Sequence, residues 1–338
     1  MVLLLVKARF AAMLTTHCRG VWAPAEVSTM TLVMAAFFMF LTIPGNLLVV
    51  VAVMRNVNKD MRTPFCAFIL CLSVTDLLVG LLVEPMSIFT HWREIHGMSI
   101  SLSWLSQVTY FLGCTASLLS LTALTVDRYV SITSPIWYRT NATFARAMCV
   151  SCGVWLVALG FATTFFEVGF IVYSFVMANL ALFFSLSILV FGYVRIFLKL
   201  QEQLESLQRF QTQNEQNRLR KHTMEREKKV TKTYLMMIAA FVLTYGPSCI
   251  MVYLMNLCTV CSCDLIHWLR DLHFVFITFN SFVNPMLYAF RLPHFRKAFI
   301  QILAVCRFLR CIGRNNTVAP APIISVKNST TNTNPSHI

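Results

Sequence analysis

From Leu102 to Val130 the chain reads LSWLSQVTYFLGCTASLLSLTALTVDRYV, with no charge before Asp127-Arg128 near its end. A helix of roughly 20 apolar residues crosses the hydrocarbon core of a bilayer, so this run is long enough to span one. Tyr110, Cys114, Ser117, Leu121, Leu124 and Arg128 recur every three or four residues and share one helix face. At 1.5 Å per residue that stripe descends about 27 Å from Tyr110 to Arg128. A simple lipid anchor needs no such stripe. A helix that lines the inside of a bundle does.

Six further apolar runs lie at 27–53, 64–90, 144–166, 170–197, 230–257 and 265–290. Of 338 residues, 57% are hydrophobic and 12% charged, with a mean hydropathy of +0.67. Soluble domains carry about 25% charged residues. The expected fold is therefore an all-α membrane protein, a seven-transmembrane helix bundle over 27–290. Residues 1–26 read as an extracellular N-terminal segment, inserted without a cleaved signal because the apolar run Met1–Val6 is too short for one. Residues 200–229 form a polar third intracellular loop that extends the flanking helices. Residues 291–304 suit a short amphipathic eighth helix on the anionic inner leaflet. The tail 305–338, rich in Asn, Ser, Thr and Pro, is expected to be disordered.

The net charge of +14 has a topological explanation. Of the 28 Lys and Arg residues, 23 fall on one side, in the loops at 55–62, 128–146 and 195–232 and from Arg291 to the C-terminus. Positive residues favour the cytoplasm, so the N-terminus is expected outside and the C-terminus inside. Nucleic acid is not an expected partner. Most of the twelve cysteines sit inside apolar runs, where they act as small hydrophobes.

Each run carries a polar landmark. An ionisable group at mid-membrane costs roughly 2.5–3.5 kcal/mol on insertion scales, so Asp76 points to function. Asp76, Ser117, Asn280, Ser281 and Asn284 can meet at that depth. One carboxylate with neutral oxygens suits a hard cation; the alternative is a water-filled network that satisfies Asp76 and Asn46. Arg128 can pair with Asp127 or with Glu227. Pro247 and Pro285 remove backbone hydrogen bonds inside their helices and mark candidate pivots.

Gly45-Asn46, the LSVTD of Leu72–Asp76, Pro85, Asp127-Arg128-Tyr129, Trp155, Phe241, Tyr245-Gly246-Pro247, Asn284-Pro285-Met286-Leu287-Tyr288 and Phe295 stand in a fixed order. In that order and spacing they resemble the rhodopsin-like (class A) family of G-protein-coupled receptors, from about Gly45 to Phe299. The resemblance implies a transducer that turns binding of an extracellular ligand (small molecule, lipid or peptide) into activation of a heterotrimeric G-protein. It implies arrestin and a receptor kinase as further partners, a plasma-membrane location and no enzymatic activity. By resemblance, Asp127, Arg128, Tyr129, Ile136 and Glu227 serve G-protein coupling. Phe241, Tyr245, Pro247, Asn284, Pro285, Tyr288 and Tyr193 form the activation switch. The Asp76 cluster becomes a pocket for an allosteric sodium ion, the one cofactor expected. Glu84, Tyr110, Phe111, Cys114, Tyr245, Asp271, His273 and Thr278 become ligand-binding candidates, and Cys306 and Cys311 palmitoylation candidates.

The chain also departs from that pattern. The cysteine at the outer end of the third helix is missing, the second extracellular loop shrinks to about Glu167–Phe170, Ser185 replaces a proline, and Tyr245 replaces a tryptophan. These features resemble the melanocortin branch, while Asn284-Pro285 in place of its Asp-Pro points to a divergent relative of the melanocortin, adenosine and lipid-receptor grouping. Tyr110 stands where amine receptors carry Asp, which disfavours an amine, and the seventh run has no lysine for retinal. Cys18, Cys258, Cys261 and Cys263 are the extracellular disulfide candidates, with Cys258 or Cys261 expected to pair with Cys263 or Cys18. His91, His96 and His267 read as solvated loop histidines rather than metal ligands.

Two other functions compete. A transporter or channel would show inverted repeats and broken half-helices, and none is legible. A receptor-like protein that is constitutively active or silent remains the other alternative; the intact Asp127-Arg128-Tyr129 and Asn284-Pro285 argue against silence. An enzyme would need a catalytic constellation, and no HExxH, GxSxG or phosphate-binding loop occurs.

Overall fold

The computed structural model describes residues 18, 21–57, 61–98, 103–180, 215–258 and 260–315, together with 187, 190–192, 194, 195, 197–199, 201 and 202. Eight helices follow one another among them: α1 Ala25–Met54, α2 Pro64–Ile95, α3 Ser103–Thr133, a short α4 Pro135–Asn141, α5 Phe144–Leu180, α6 Glu215–Leu257, α7 Cys263–Arg291 and α8 Pro293–Asn315. No strand occurs among the described residues. In a bilayer every backbone polar group must be satisfied within its own segment, which a helix does.

Local chemistry sets the helix starts. Thr63 accepts a hydrogen bond from the Cys66 N–H at 3.2 Å, with Pro64 preset at the first helical position. Ser262 caps α7 in the same way through the Leu265 N–H at 3.3 Å. Among the described residues five helices are long and apolar enough to cross a membrane: α1, α2, α3, the first part of α5 and the second part of α6. α7 spans 29 residues but carries Asp264, Arg270 and Asp271 in its outer turns.

Two elements differ from expectation. Helical geometry continues through Glu167–Phe170, where a loop was expected. The chain still turns back along α3, because Tyr173 packs on Phe111 with ring centroids 4.6 Å apart while Gly192 lies against Thr125. A Cβ on Gly192 would come within 2.6 Å of the Thr125 methyl, so glycine permits this close approach. The eighth helix is also longer than 291–304. It runs to Asn315, into the segment expected to be disordered, and seats Phe295, Ala298 and Phe299 against the bundle.

α2 contains a π turn at Val79–Val83. Such a turn takes one residue out of helical phase. At 100° per residue, Glu84 would otherwise stand about 80° around the helix from Asp76; the π turn brings it to within about 20°. The second carboxylate of α2 thus faces inward above the first. At the same depth α1 and α7 meet closely, since a Cβ on Gly45 would lie 2.9 Å from the Pro285 ring.

Candidate functional site: three polar layers and a cleft

At the cytoplasmic end of α3, Arg128 is 4% exposed. Its Nε and Nη2 donate to Asp127 Oδ2 at 2.9 and 2.6 Å, and Nη2 also donates to the Tyr138 hydroxyl at 2.8 Å. Tyr138 donates to the other Asp127 oxygen at 2.8 Å. The guanidinium sits 4.7 Å from the Phe65 ring centroid on α2, within reach of a cation–π attraction. Of the two carboxylates open from the sequence, Asp127 holds Arg128; the Glu227 side chain lies outside the described residues. Tyr138 was not anticipated, because its role depends on how α4 folds back under α3. Ile136 on α4 is 84% exposed, and Trp137 beside it is also exposed. Tyr129 packs against the core next to Arg128.

At mid-membrane, Asn284 Nδ2 donates to Asp76 Oδ2 at 2.9 Å. Asn46 Nδ2 donates to the Thr42 and Ser281 carbonyls at 3.0 and 3.2 Å, joining α1 to α7. Ser281 faces Asp76 as well. Asn280 is buried one turn outward on α7, and Ser117 faces the Tyr245 hydroxyl. Several buried polar atoms have no hydrogen-bond partner among the described residues: Asp76 Oδ1, Asn46 Oδ1, Ser73 Oγ, Thr42 Oγ1, both Glu84 oxygens and the Tyr288 hydroxyl. Glu84 faces Thr42 on α1. It belongs to this layer and faces neither a ligand cleft nor headgroups, as the π turn requires. Phe241 and Tyr245 stack with centroids 4.0 Å apart, one turn from Pro247. Tyr288 is fully buried against Phe295. Tyr193 lies outside the described residues.

Outward of this layer a narrow cleft is lined by Tyr110, Phe111, Cys114, Tyr245 and His273, all anticipated, with Leu118, Met177, Ser248, Cys249, Val252 and Ile277. The Tyr110 hydroxyl and His273 Nε2 are 2.8 Å apart, and His273 Nδ1 contacts the Ser248 hydroxyl. Among the described residues no carboxylate lines the cleft. Three anticipated ligand residues are elsewhere. Glu84 points toward α1, Thr278 bonds the Phe274 carbonyl of its own helix at 3.0 Å, and Asp271 is held in the outermost layer.

That outermost layer joins α1, α2 and α7. Arg270 donates to both oxygens of Glu94, at 3.0 and 3.2 Å, and to Asp271 at 2.6 Å. His91 is a buried helical residue here, 3.3 Å from Asp271, and not a solvated loop histidine. His267 also lies on a helix, with Nε2 at 3.2 Å from the Val21 carbonyl; His96 is exposed at the end of α2. The disulfides are Cys18–Cys263 and Cys258–Cys261, so the expected pairing of Cys258 or Cys261 with Cys263 or Cys18 does not form. The first bridge ties the N-terminal segment to α7, a geometry that residue spacing could not reveal. Cys306 and Cys311 fall on α8, with side chains outside the described residues.

A buried arginine beneath a bundle, an acidic mid-membrane layer and a cleft above it are the parts of a transmembrane signalling receptor. The chain belongs to the family described as 7 transmembrane receptor (rhodopsin family), which matches residues 45–171 and 166–288, and is thus a G-protein-coupled receptor. Among its relatives it is 29% identical to melanocortin receptor 5 of Bos taurus, over 78% of this chain and 82% of that one. It is 27% identical to trace amine-associated receptor 9 of Rattus norvegicus (82% and 87%) and 25% identical to octopamine receptor beta-2R of Chilo suppressalis (86% and 83%). The relatives thus include receptors named for amines and for melanocortin alike. The protein is a multi-pass membrane receptor whose partners are an extracellular ligand and a G-protein.

Proposed function

We propose that the protein is a plasma-membrane receptor, N-terminus outside and C-terminus inside, that activates its G-protein through Arg128 when a small ligand occupies the cleft between α3, α5, α6 and α7. The observation that carries this reading is Arg128: a buried guanidinium held by Asp127 one residue away and by Tyr138 on α4. Exchange of these partners for a G-protein's carbonyls keeps the charge paired. The exposed Ile136 supplies an apolar contact on the same face. The amines that name two of the relatives do not transfer to this ligand. A buried ammonium without a counter-charge is costly, and the cleft offers the Tyr110–His273–Ser248 chain instead. An uncharged ligand with one hydrogen-bonding group matches that wall. Asp76 Oδ1, with Ser281 and Asn284 beside it, supports an allosteric sodium site, where the ion would supply the missing positive charge. Ser and Thr residues of the tail 305–338 are the substrate we assign to a receptor kinase and, once phosphorylated, to arrestin. The protein acts without catalysis.

The test is nucleotide exchange on a panel of G-proteins in cell membranes. The wild type drives exchange on at least one of them, and Arg128→Ala abolishes it at unchanged surface expression. Full exchange by Arg128→Ala overturns the assignment.

A further inference from the structure

His273 on α7 joins α3 to α6 through two hydroxyl groups. Its Nε2 lies 2.8 Å from the Tyr110 hydroxyl, and its Nδ1 meets the Ser248 hydroxyl. All three side chains line the cleft. Each hydroxyl carries one hydrogen, and a neutral imidazole carries one N–H and one lone pair. Three hydrogens are therefore available to two contacts, and each contact uses one. If Tyr110 donates to Nε2, the ring N–H points at Ser248 and the Ser248 hydrogen is spare. If Ser248 donates to Nδ1, the ring N–H points at Tyr110 and the Tyr110 hydrogen is spare. A charged ring would free both. Among the described residues no strong acceptor takes up the spare hydrogen. Ser248 has no hydrogen-bond partner beyond the ring, and Tyr110 otherwise faces the sulfur of Cys114, a weak acceptor.

Two facts choose between the arrangements. Nδ1 also faces the Ser248 backbone carbonyl, which can only accept. A phenol is a stronger acid than an alcohol, so Tyr110 is the better donor to a ring nitrogen. Both place the N–H on Nδ1 and turn the Nε2 lone pair to Tyr110. The spare hydrogen is then that of Ser248. We propose that Ser248 selects the ligand as a hydrogen-bond donor, so that the cleft takes an uncharged molecule through a carbonyl or ether oxygen. A ligand that can only donate leaves the Ser248 hydrogen unpaired, and an unpaired buried donor costs free energy. His273 acts as a positioning residue, because its ring occupies the hydroxyl oxygen and leaves the hydrogen to the ligand. The proposal rests on the reading of this cleft as the ligand site.

The test uses the full-length receptor in lipid nanodiscs and two small probes of one shape. Acetophenone carries a carbonyl, and α-methylstyrene has a methylene group in its place. Ligand-detected NMR titration gives the affinity of each, with empty nanodiscs subtracted for partition into lipid. Loss of one hydrogen bond lowers the affinity of acetophenone relative to α-methylstyrene about threefold to tenfold in Ser248→Ala. Ser248→Thr, which keeps the hydroxyl, keeps the wild-type ratio. A ratio unchanged in Ser248→Ala overturns the proposal. It leaves the cleft as the ligand site if Val252→Trp, which fills the cleft, abolishes binding of both probes. Binding of neither probe, or binding that survives Val252→Trp, overturns the cleft reading and this proposal with it. If Ser248→Ala does not assemble, the wild type decides. The infrared carbonyl stretch of bound acetophenone falls below its value in alkane, and a stretch at the alkane value overturns the proposal.

Discussion

The outermost and mid-membrane layers bury similar side chains and treat them in opposite ways. Around Glu94, Asp271, His91 and Arg270, every carboxylate oxygen has a cation or hydroxyl against it, and the Cys18–Cys263 bridge ties the N-terminal segment to α7. Around Asp76 and Glu84, polar atoms are left unpaired, and Asp76 Oδ1 and both Glu84 oxygens have no hydrogen-bond partner among the described residues. A buried polar atom without a partner costs free energy, typically about 1–3 kcal/mol. One layer is therefore a clamp. The other is a region whose protein alone is incomplete, where a proton, an ion or water decides which arrangement of α1, α2 and α7 is stable. A receptor needs both: a fixed outer frame and a core that can change partners.

Breaking the clamp is the largest effect this contrast predicts. Asp271→Ala leaves His91 and Arg270 facing a carboxylate that is gone, and removal of one member of a buried charge cluster costs about 3 kcal/mol. Thermal melting of the purified receptor should fall accordingly. A change smaller than that of an exposed control such as Glu26→Ala would show that the outer layer is not a clamp. In the mid-membrane layer, tight packing rather than polar pairing joins α1 to α7. Gly45→Ala drives a methyl into the Pro285 ring, and overpacking of this kind costs about 2 kcal/mol. Lost stability with an unchanged fold is expected, and an unchanged melting temperature would mean that α1 yields freely. The smallest effect sharpens the nature of the open acceptors. Sodium at about tenfold over its dissociation constant stabilises the state it binds by about 1.4 kcal/mol. Replacing N-methylglucamine by sodium should raise the melting temperature of the wild type and leave Asp76→Asn unmoved. Equal responses would leave water, not an ion, as the partner of Asp76.

Much of the layout was legible without coordinates. Long apolar runs read as membrane helices, and the stripe from Tyr110 to Arg128 places the cleft positions Tyr110 and Cys114 and the coupling position Arg128 on one face by helical periodicity alone. Tyr110, Phe111, Cys114, Tyr245 and His273 line the cleft as expected. Asp271 and Glu84 mislead because each is a lone acidic residue near the outer end of a helix, the usual sign of a ligand contact. Periodicity cannot reveal that a π turn rotates Glu84 toward Asp76, or that Arg270 and His91 capture Asp271 from within. Tyr138 was missed because no periodic signal connects a loop helix to the arginine it covers.

The sequence by itself determined the class of fold, the number of crossings and the positions of Asp76, Arg128 and Pro285, because bilayer thickness and helix geometry act on residues close together in the chain. The tertiary structure alone decided which charges meet. His91 and Asp271 are far apart in sequence and 3.3 Å apart in space, and Cys18 bonds Cys263 across 245 residues. Such partners are set by the packing of three helices against one another, and side-chain pairing over that separation leaves no periodic trace in a single chain.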